Sequence, residues 1–350
     1  MNLVTGATGL LGSHIVEQLR LRNRPVRVLV RPNSDTSWLE TQDVEFVYGD
    51  LSDHAALAEA CKGVETVYHS AARVGDWGPW EEFVEITIRG THNLAEAAAE
   101  AGVKRFIHIS SISSYGHPNQ EGLVLDESAP LGVNLHKWSY YSRAKVEAER
   151  ELWAMHESGK INLTVIKPSW LYGPRDRATI FRLANMLRQG KAKILGDGEN
   201  RLNVVYAGNV AEACILAADN EKAVGQAYNV CNDGVMKQKQ WMNLLARELG
   251  APPVEKHVPY RVAYNVAFIL ECFGHLFKKK KPPMITRYSV WLMGRRCFFS
   301  AEKARNELGW QSSVPYEEGV KKTIAWLRKQ EARGKQKQNE PKKQEQAANA

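Results

Sequence analysis

Thr5-Gly6-Ala7-Thr8-Gly9-Leu10-Leu11-Gly12 follows the short apolar run Leu3-Val4 and opens a helical pattern over 11–22. Three glycines at this spacing between a strand and a helix constrain the fold more than any other feature of the chain. Gly6 permits a tight turn, Gly9 lets the backbone approach a ligand, and Gly12 lets the helix pack closely on the strand. The unpaired N–H groups at the helix start then make an anion site of the kind that receives a dinucleotide pyrophosphate. Tight βα turns are also glycine-rich for packing reasons alone, so the reading depends on the pattern of the rest of the chain.

That pattern is alternating. Strand-like, β-branched runs at 26–30, 44–48, 64–68, 105–109 and 163–166 are separated by helical spacing at 54–61, 80–101 and 141–156, with Gly102 and Gly159 just past two helix ends. Repeated βα units with right-handed crossovers predict an α/β fold, a Rossmann-like doubly wound parallel sheet with ligands at the carboxyl ends of its strands. After Pro168 the alternation becomes irregular, with helices expected near 180–189, 209–219, 239–249 and 316–329. The expected organisation is a dinucleotide-binding domain over 1–170, to which a strand near 228–230 returns. A smaller C-terminal substrate-capping region over 171–328 and a disordered basic tail over 329–350 complete it.

With 44% hydrophobic and 25% charged residues, 350 residues supply a sizeable core and exclude a disordered or disulfide-stapled protein. Five scattered cysteines without a Cys-x-x-Cys pair argue against structural zinc and for a reducing compartment. No metal site is expected. The first residues carry no signal-peptide pattern, so the expected location is cytoplasmic. The net charge of +8 is concentrated: Lys278 to Lys281 hold four positive charges, and 328–345 holds seven basic against three acidic residues. The rest is formally neutral, which does not read as a nucleic-acid-binding face.

Within the frame of a dinucleotide fold, individual residues acquire roles. Arg31 ends the second strand, where an acid would bond a ribose 2′-hydroxyl and an arginine a 2′-phosphate. NADP(H) is therefore the expected cofactor and NAD(H) the alternative. Asp50, in Gly49-Asp50-Leu51, either approaches the adenine amine or simply caps a helix. Tyr141 and Lys145 lie four residues apart on one helix face. An ammonium close to a phenol favours phenolate, and the lysine can also hold the nicotinamide ribose. The strand 105–109 ends in Ser110-Ser111-Ile112-Ser113-Ser114. One of these hydroxyls can bond a substrate oxygen while Tyr141 moves the proton.

In this order the motifs resemble the extended short-chain dehydrogenase/reductase superfamily, over nearly all of 2–328. The resemblance adds His69-Ser70-Ala71-Ala72 and Lys167-Pro168-Ser169-Trp170-Leu171-Tyr172-Gly173-Pro174 to the motifs above. It implies Ser111, Tyr141 and Lys145 as the catalytic set. It also implies a cofactor site formed by Gly6, Thr8, Gly9, Leu10, Leu11, Gly12, Arg31, Asp50, Leu51, Ala71, Ala72 and Pro168, together with Tyr141 and Lys145. Where the family usually carries asparagine before x-x-Gly-Thr, this chain has Thr87. The segments 27–32 and 298–310 are similar to the branch of 3β-hydroxysteroid dehydrogenases, 2-alkyl-3-oxoalkanoate reductases and dihydroflavonol reductases. That branch implies hydride transfer between a secondary alcohol and a ketone on a small hydrophobic substrate, and it leaves a homodimer open.

Two other functions are compatible with the motifs. A sugar-nucleotide epimerase or dehydratase would need cations for its phosphates, for which Arg175, Arg177 and Arg201 are available. A non-catalytic NAD(P)-binding sensor would need only the glycine turn, not the full Ser111, Tyr141 and Lys145 set. Trp77, Trp80, Trp138 and Trp170 are candidates for an apolar pocket or for core packing. The stretch 262–277 is apolar nearly all round and reads first as a buried helix. The four lysines that follow it give a second reading, peripheral contact with a membrane surface.

Overall fold

The computed structural model describes residues 1–348 except 178, 232 and 233, with side chains described as far as residue 334. The chain opens β1 (Asn2–Thr5), α1 (Leu10–Leu21), β2 (Val26–Val30), β3 (Glu45–Tyr48), α2 (His54–Cys61) and β4 (Thr66–His69). Next come α3 (Trp80–Phe83), a π-helical turn (Val84–Arg89), α4 (Gly90–Glu100), β5 (Arg105–Ile109), β6 (Val124–Leu125), α5 (Tyr140–Glu157) and β7 (Leu163–Pro168). The second half contains β8 (Trp170–Tyr172), α6 (Ile180–Arg188), β9 (Ile194–Leu195), β10 (Val204–Tyr206), α7 (Ala207–Asp219) and β11 (Gln226–Val230). It ends with α8 (Gln238–Leu249), β12 (His257–Val258), α9 (Tyr260–Leu276), α10 (Arg287–Gly294), β13 (Phe298–Phe299), α11 (Glu302–Leu308) and α12 (Tyr316–Ala348).

Seven strands form one parallel sheet in the order β11-β7-β5-β4-β1-β2-β3. The chain runs outward from β1 to β3 and then returns to the other side of β1 with β4, so the strand order reverses beside the glycine turn. This reversal opens the crevice in which doubly wound folds bind ligands. Alternate strand residues feed two cores: Val4, Val28 and Ile107 face α1, α7 and α11, while Leu3, Leu29 and Phe106 face α2, α4 and α5. β5 and β7 are buried along their whole length because helices cover both faces of the sheet. A third core joins α6, α8 and α12 around Trp241, Leu245 and Val320.

The structure departs from the sequence reading in four places. The helix expected over 80–101 is interrupted by the π-helical turn, where Arg73 N donates to Thr87 Oγ1 at 2.9 Å and ties that turn to the loop after β4. Helices α7 and α11, from beyond the expected boundary at residue 170, pack on the sheet. The segment 329–350, where disorder is expected, continues as helix to Ala348, in keeping with the helix propensity of its Gln, Lys, Glu and Ala residues. Finally, the helix at 262–277 is not a buried core helix: only Ala263, Ala267, Glu271 and Gly274 of α9 are buried.

Candidate active site

At the carboxyl end of β1 the backbone is shaped by the absence of side chains. Gly6 has φ +68°, and a Cβ on it would stand 2.7 Å from Ala71 N; a Cβ on Gly12 would stand 2.2 Å from Gly6 O. Gly9 N donates to Gly6 O at 2.9 Å, and α1 starts at Leu10 with neither a side-chain cap nor an acidic residue in its first turn. The uncapped N–H groups and the positive helix end fit a pyrophosphate. Gly9 is exposed, Thr8 and Leu10 are half-buried, and Leu11 is buried.

The remaining residues expected at the cofactor lie along the same sheet edge. Arg31 follows β2, is exposed, and among the described residues makes no ion pair. Asp50 follows β3, accepts from Ser52 N at 2.8 Å and Ser52 Oγ at 2.6 Å, and is held below the usual carboxylate range by those bonds and, more weakly, by Arg31. Leu51 is buried against Gly90. Ala71 and Ala72 follow β4, with Ala71 N 3.4 Å from Thr5 Oγ1. Pro168 ends β7, in register with Val230.

Ser111, Tyr141 and Lys145 come together past the end of β5. Ser111 starts a short 3₁₀ turn and accepts from Ser113 N at 3.1 Å and from Ser113 Oγ at 2.9 Å. Tyr141 stands in the first turn of α5. Burial raises its phenol pKa, and the hydrogen bond with Ser111 opposes that rise. One turn on, burial lowers Lys145 to about 8, with Glu149 opposing, and its Nζ donates to Ile109 O at 2.7 Å. The Lys145 ammonium is thus directed to the carbonyl that ends β5.

Several contributors were not evident from the sequence. Glu149, four residues beyond Lys145 on the same buried helix face, accepts from Ser110 Oγ at 2.6 Å and pairs with Lys167 at 2.9 Å. That spacing was a readable signal. Tyr288 packs edge-on to the Tyr141 ring at 6.3 Å. His117 and His136 stack at 4.0 Å, held well below the usual histidine range by burial. Arg295 is fully buried over the rings of Trp291 (4.3 Å) and Phe299 (5.1 Å), and none of its guanidinium nitrogens has a hydrogen-bond partner among the described residues.

A cleft beside Tyr288 is lined by Asp76, Trp77, His136, Trp138 and His275. Trp77 and Trp138 thus reach the site, whereas Trp80 packs on Tyr140 and under Arg143, and Trp170 packs against the third core. Two of the cations available to a sugar nucleotide are engaged elsewhere: Arg175 with Glu17 at 2.5 Å and Arg177 with Asp35 at 2.9 Å. The third, Arg201, lies over the Phe298 ring.

The model of the NAD dependent epimerase/dehydratase family matches residues 2–231. The chain belongs to that family. It is 30% identical to the 2-alkyl-3-oxoalkanoate reductase of Stenotrophomonas maltophilia, covering 92% of this chain and 98% of the relative. It is also 30% identical to the mouse sterol-4-alpha-carboxylate 3-dehydrogenase, decarboxylating, covering 92% and 89% respectively. The crystal structure of gox2253 superposes with a TM-score of 0.79 at 31% identity, covering 94% and 98% of the two chains. Family and relatives together make this protein a nicotinamide-dependent oxidoreductase acting on CH–OH groups, of the extended short-chain dehydrogenase/reductase type.

Proposed function

We propose that the enzyme interconverts a secondary alcohol and a ketone on a lipophilic substrate that carries a carboxylate beside the reacting carbon. The observation that carries the reading is the convergence of Ser111, Tyr141 and Lys145 past the carboxyl end of β5, next to the cleft of Trp77, Trp138 and Tyr288. When bound, the nicotinamide supplies or accepts the hydride. Tyr141 gives its phenolic proton to the carbonyl oxygen during reduction and takes the hydroxyl proton during oxidation. Ser111 orients that oxygen, and Ser113, donating to Ser111 Oγ, fixes the direction of its lone pairs. Lys145, fixed by Ile109 O, holds the ribose of the cofactor in this reading. NADP(H) is the preferred cofactor in this reading, because Arg31 is free to make a charge-assisted contact with a 2′-phosphate.

The substrate class rests on two supports. Both relatives are named for molecules with a carboxylate on the carbon next to the one bearing oxygen. Arg295, a buried guanidinium without a hydrogen-bonding partner among the described residues, matches such an anion. A sugar nucleotide fits less well, since Arg175 and Arg177 already have carboxylate partners. A cofactor sensor without turnover would have no use for Ser111, Tyr141 and Lys145 brought together.

A panel of 2-alkyl-3-oxo acids, their neutral methyl esters, sterol ketones and nucleotide sugars, followed by NADPH consumption, tests this. Turnover of the free acids is expected. Arg295→Met should raise KM for the acids about tenfold or more, as loss of a charged hydrogen bond does, and leave the esters nearly unchanged. Equal loss on both would remove the carboxylate from the reading, and turnover of nucleotide sugars alone would replace it.

A further inference from the structure

α9 is an amphipathic helix turned inside out. The face it packs against the protein carries small residues: Ala263, Ala267 and Gly274, where a Cβ on Gly274 would meet the Trp77 ring at 2.6 Å. Its outer face carries Val262, Val266, Ile269, Phe273 and Leu276, each between 43% and 73% exposed. At 3.6 residues per turn these five project within an arc of roughly 80°. Phe268 and Phe277, also exposed, flank them, and Met284 lies just beyond. A surface helix normally presents the opposite arrangement, and a contiguous apolar stripe in water marks a surface that something covers.

The charge around the stripe identifies what covers it. Lys278 to Lys281 follow the helix, all exposed, and none is in an ion pair among the described residues. The one acidic side chain of α9, Glu271, points inward and is bound by Arg287 Nε at 2.6 Å. An apolar stripe edged by unneutralised lysines and free of negative charge complements an anionic lipid surface. A second copy of this chain would offer the lysines no acidic side chain from its own α9, because Glu271 points inward, and so lacks the countercharge that anionic lipid supplies. No helix among the described residues is long and apolar enough to cross a membrane.

We infer that the outer face of α9 and the lysines at 278–281 dock the enzyme on the surface of an anionic bilayer, with the helix lying in the interfacial plane. The inner face of the same helix reaches the cleft: His275 stacks on Trp77 and Trp138, each at 4.4 Å, and Tyr264 meets His136 at 3.2 Å. Docking therefore sets the mouth of the cleft against the lipid, one side chain away from it. The inference stands apart from the proposed substrate, because vesicle binding needs no turnover.

Flotation of the full chain with vesicles of phosphatidylcholine alone, or with 30% phosphatidylglycerol, tests it. Wild type is expected to float with the anionic vesicles, less so at high salt, and not with the neutral ones. Replacing Lys278 to Lys281 by glutamine should weaken that binding by up to roughly a thousandfold, and Ile269→Asp with Phe273→Asp should abolish it. Both sets change exposed side chains, so kcat on a water-soluble ketone reports that each variant is folded. Three results would overturn the inference: wild type staying in the soluble fraction with both vesicles, equal flotation with both, or binding unaffected by either set. Light scattering on the same proteins covers the other occupant: a wild-type dimer that Ile269→Asp with Phe273→Asp disperses, without vesicle binding, assigns the stripe to a second copy instead.

Discussion

Glu149 and Lys167 form an ion pair at 2.9 Å whose side chains are only 1% and 3% exposed. The pair connects α5, one turn beyond Lys145, to β7, one residue before Pro168. Ser110 Oγ adds a hydrogen bond to the carboxylate at 2.6 Å, and the Lys167 ammonium lies 4.4 Å from the centre of the Tyr115 ring. Both strand ends that border the site are thus fastened to the helix that carries Tyr141.

Removing one partner strands the other charge in the core. Glu149→Gln is expected to destabilise the fold by about 3–5 kcal/mol, measured by urea unfolding. Glu149→Leu combined with Lys167→Met removes both charges and should cost much less. If the single and double variants lose equal stability, the pair is not what holds this junction.

The proton of the proposed reaction should depend on Tyr141 and, through its pKa, on Ser111. Tyr141→Phe is expected to lower kcat by about 100- to 10,000-fold while cofactor fluorescence titrations stay unchanged. Alcohol oxidation requires the phenolate, so its kcat/KM rises with pH through the phenol pKa, and ketone reduction falls over the same range. Because Ser111 opposes the upward pull of burial, Ser111→Ala should move the inflection to higher pH. An inflection that stays in place would separate Ser111 from the ionisation of Tyr141.

How much of this was legible in the sequence depends on the reach of each contact. The glycine turn, the parallel sheet and the Tyr141–Lys145 pair are written in local spacing, which period and helix geometry decode. The π-helical turn was not, because it depends on a tertiary hydrogen bond between Arg73 N and Thr87. Tyr288 was invisible for a related reason: it comes from α10 and meets Tyr141 only through folding. α9 shows a different limit. Its composition is apolar nearly all round, and only packing reveals that Ala267 and Gly274 face inward while Ile269 and Phe273 face out.

Arg31 offers a test of cofactor choice. It is exposed past the end of β2, and Asp50, on which it acts weakly, accepts from Ser52. Arg31→Ala is expected to weaken NADP(H) about tenfold or more, the loss of one charge-assisted contact, with little change for NAD(H). Tighter binding of NAD(H) by wild type would contradict the NADP(H) preference and leave the oxidoreductase assignment intact.

Acid should unfold the protein through its buried histidines. Burial holds His69 at about 3, where Lys145 adds to the effect, His117 at about 3 and His136 at about 4. In the unfolded chain each takes a proton as the pH falls through about 6.5, whereas the folded protein takes none until far lower. The unfolded state therefore binds more protons across this window, so the stability contributed is complete above pH 6.5 and is lost as the pH falls towards 4. Asp76, Glu127 and Glu271, raised by burial, act in the opposite sense and are common to any histidine variant. The decisive quantity is therefore a difference between proteins. His117→Phe with His136→Phe should lose less Tm than wild type between pH 7.5 and pH 4.5, followed by circular dichroism. An identical loss in both would mean that the stacked pair at the mouth of the cleft does not govern acid stability.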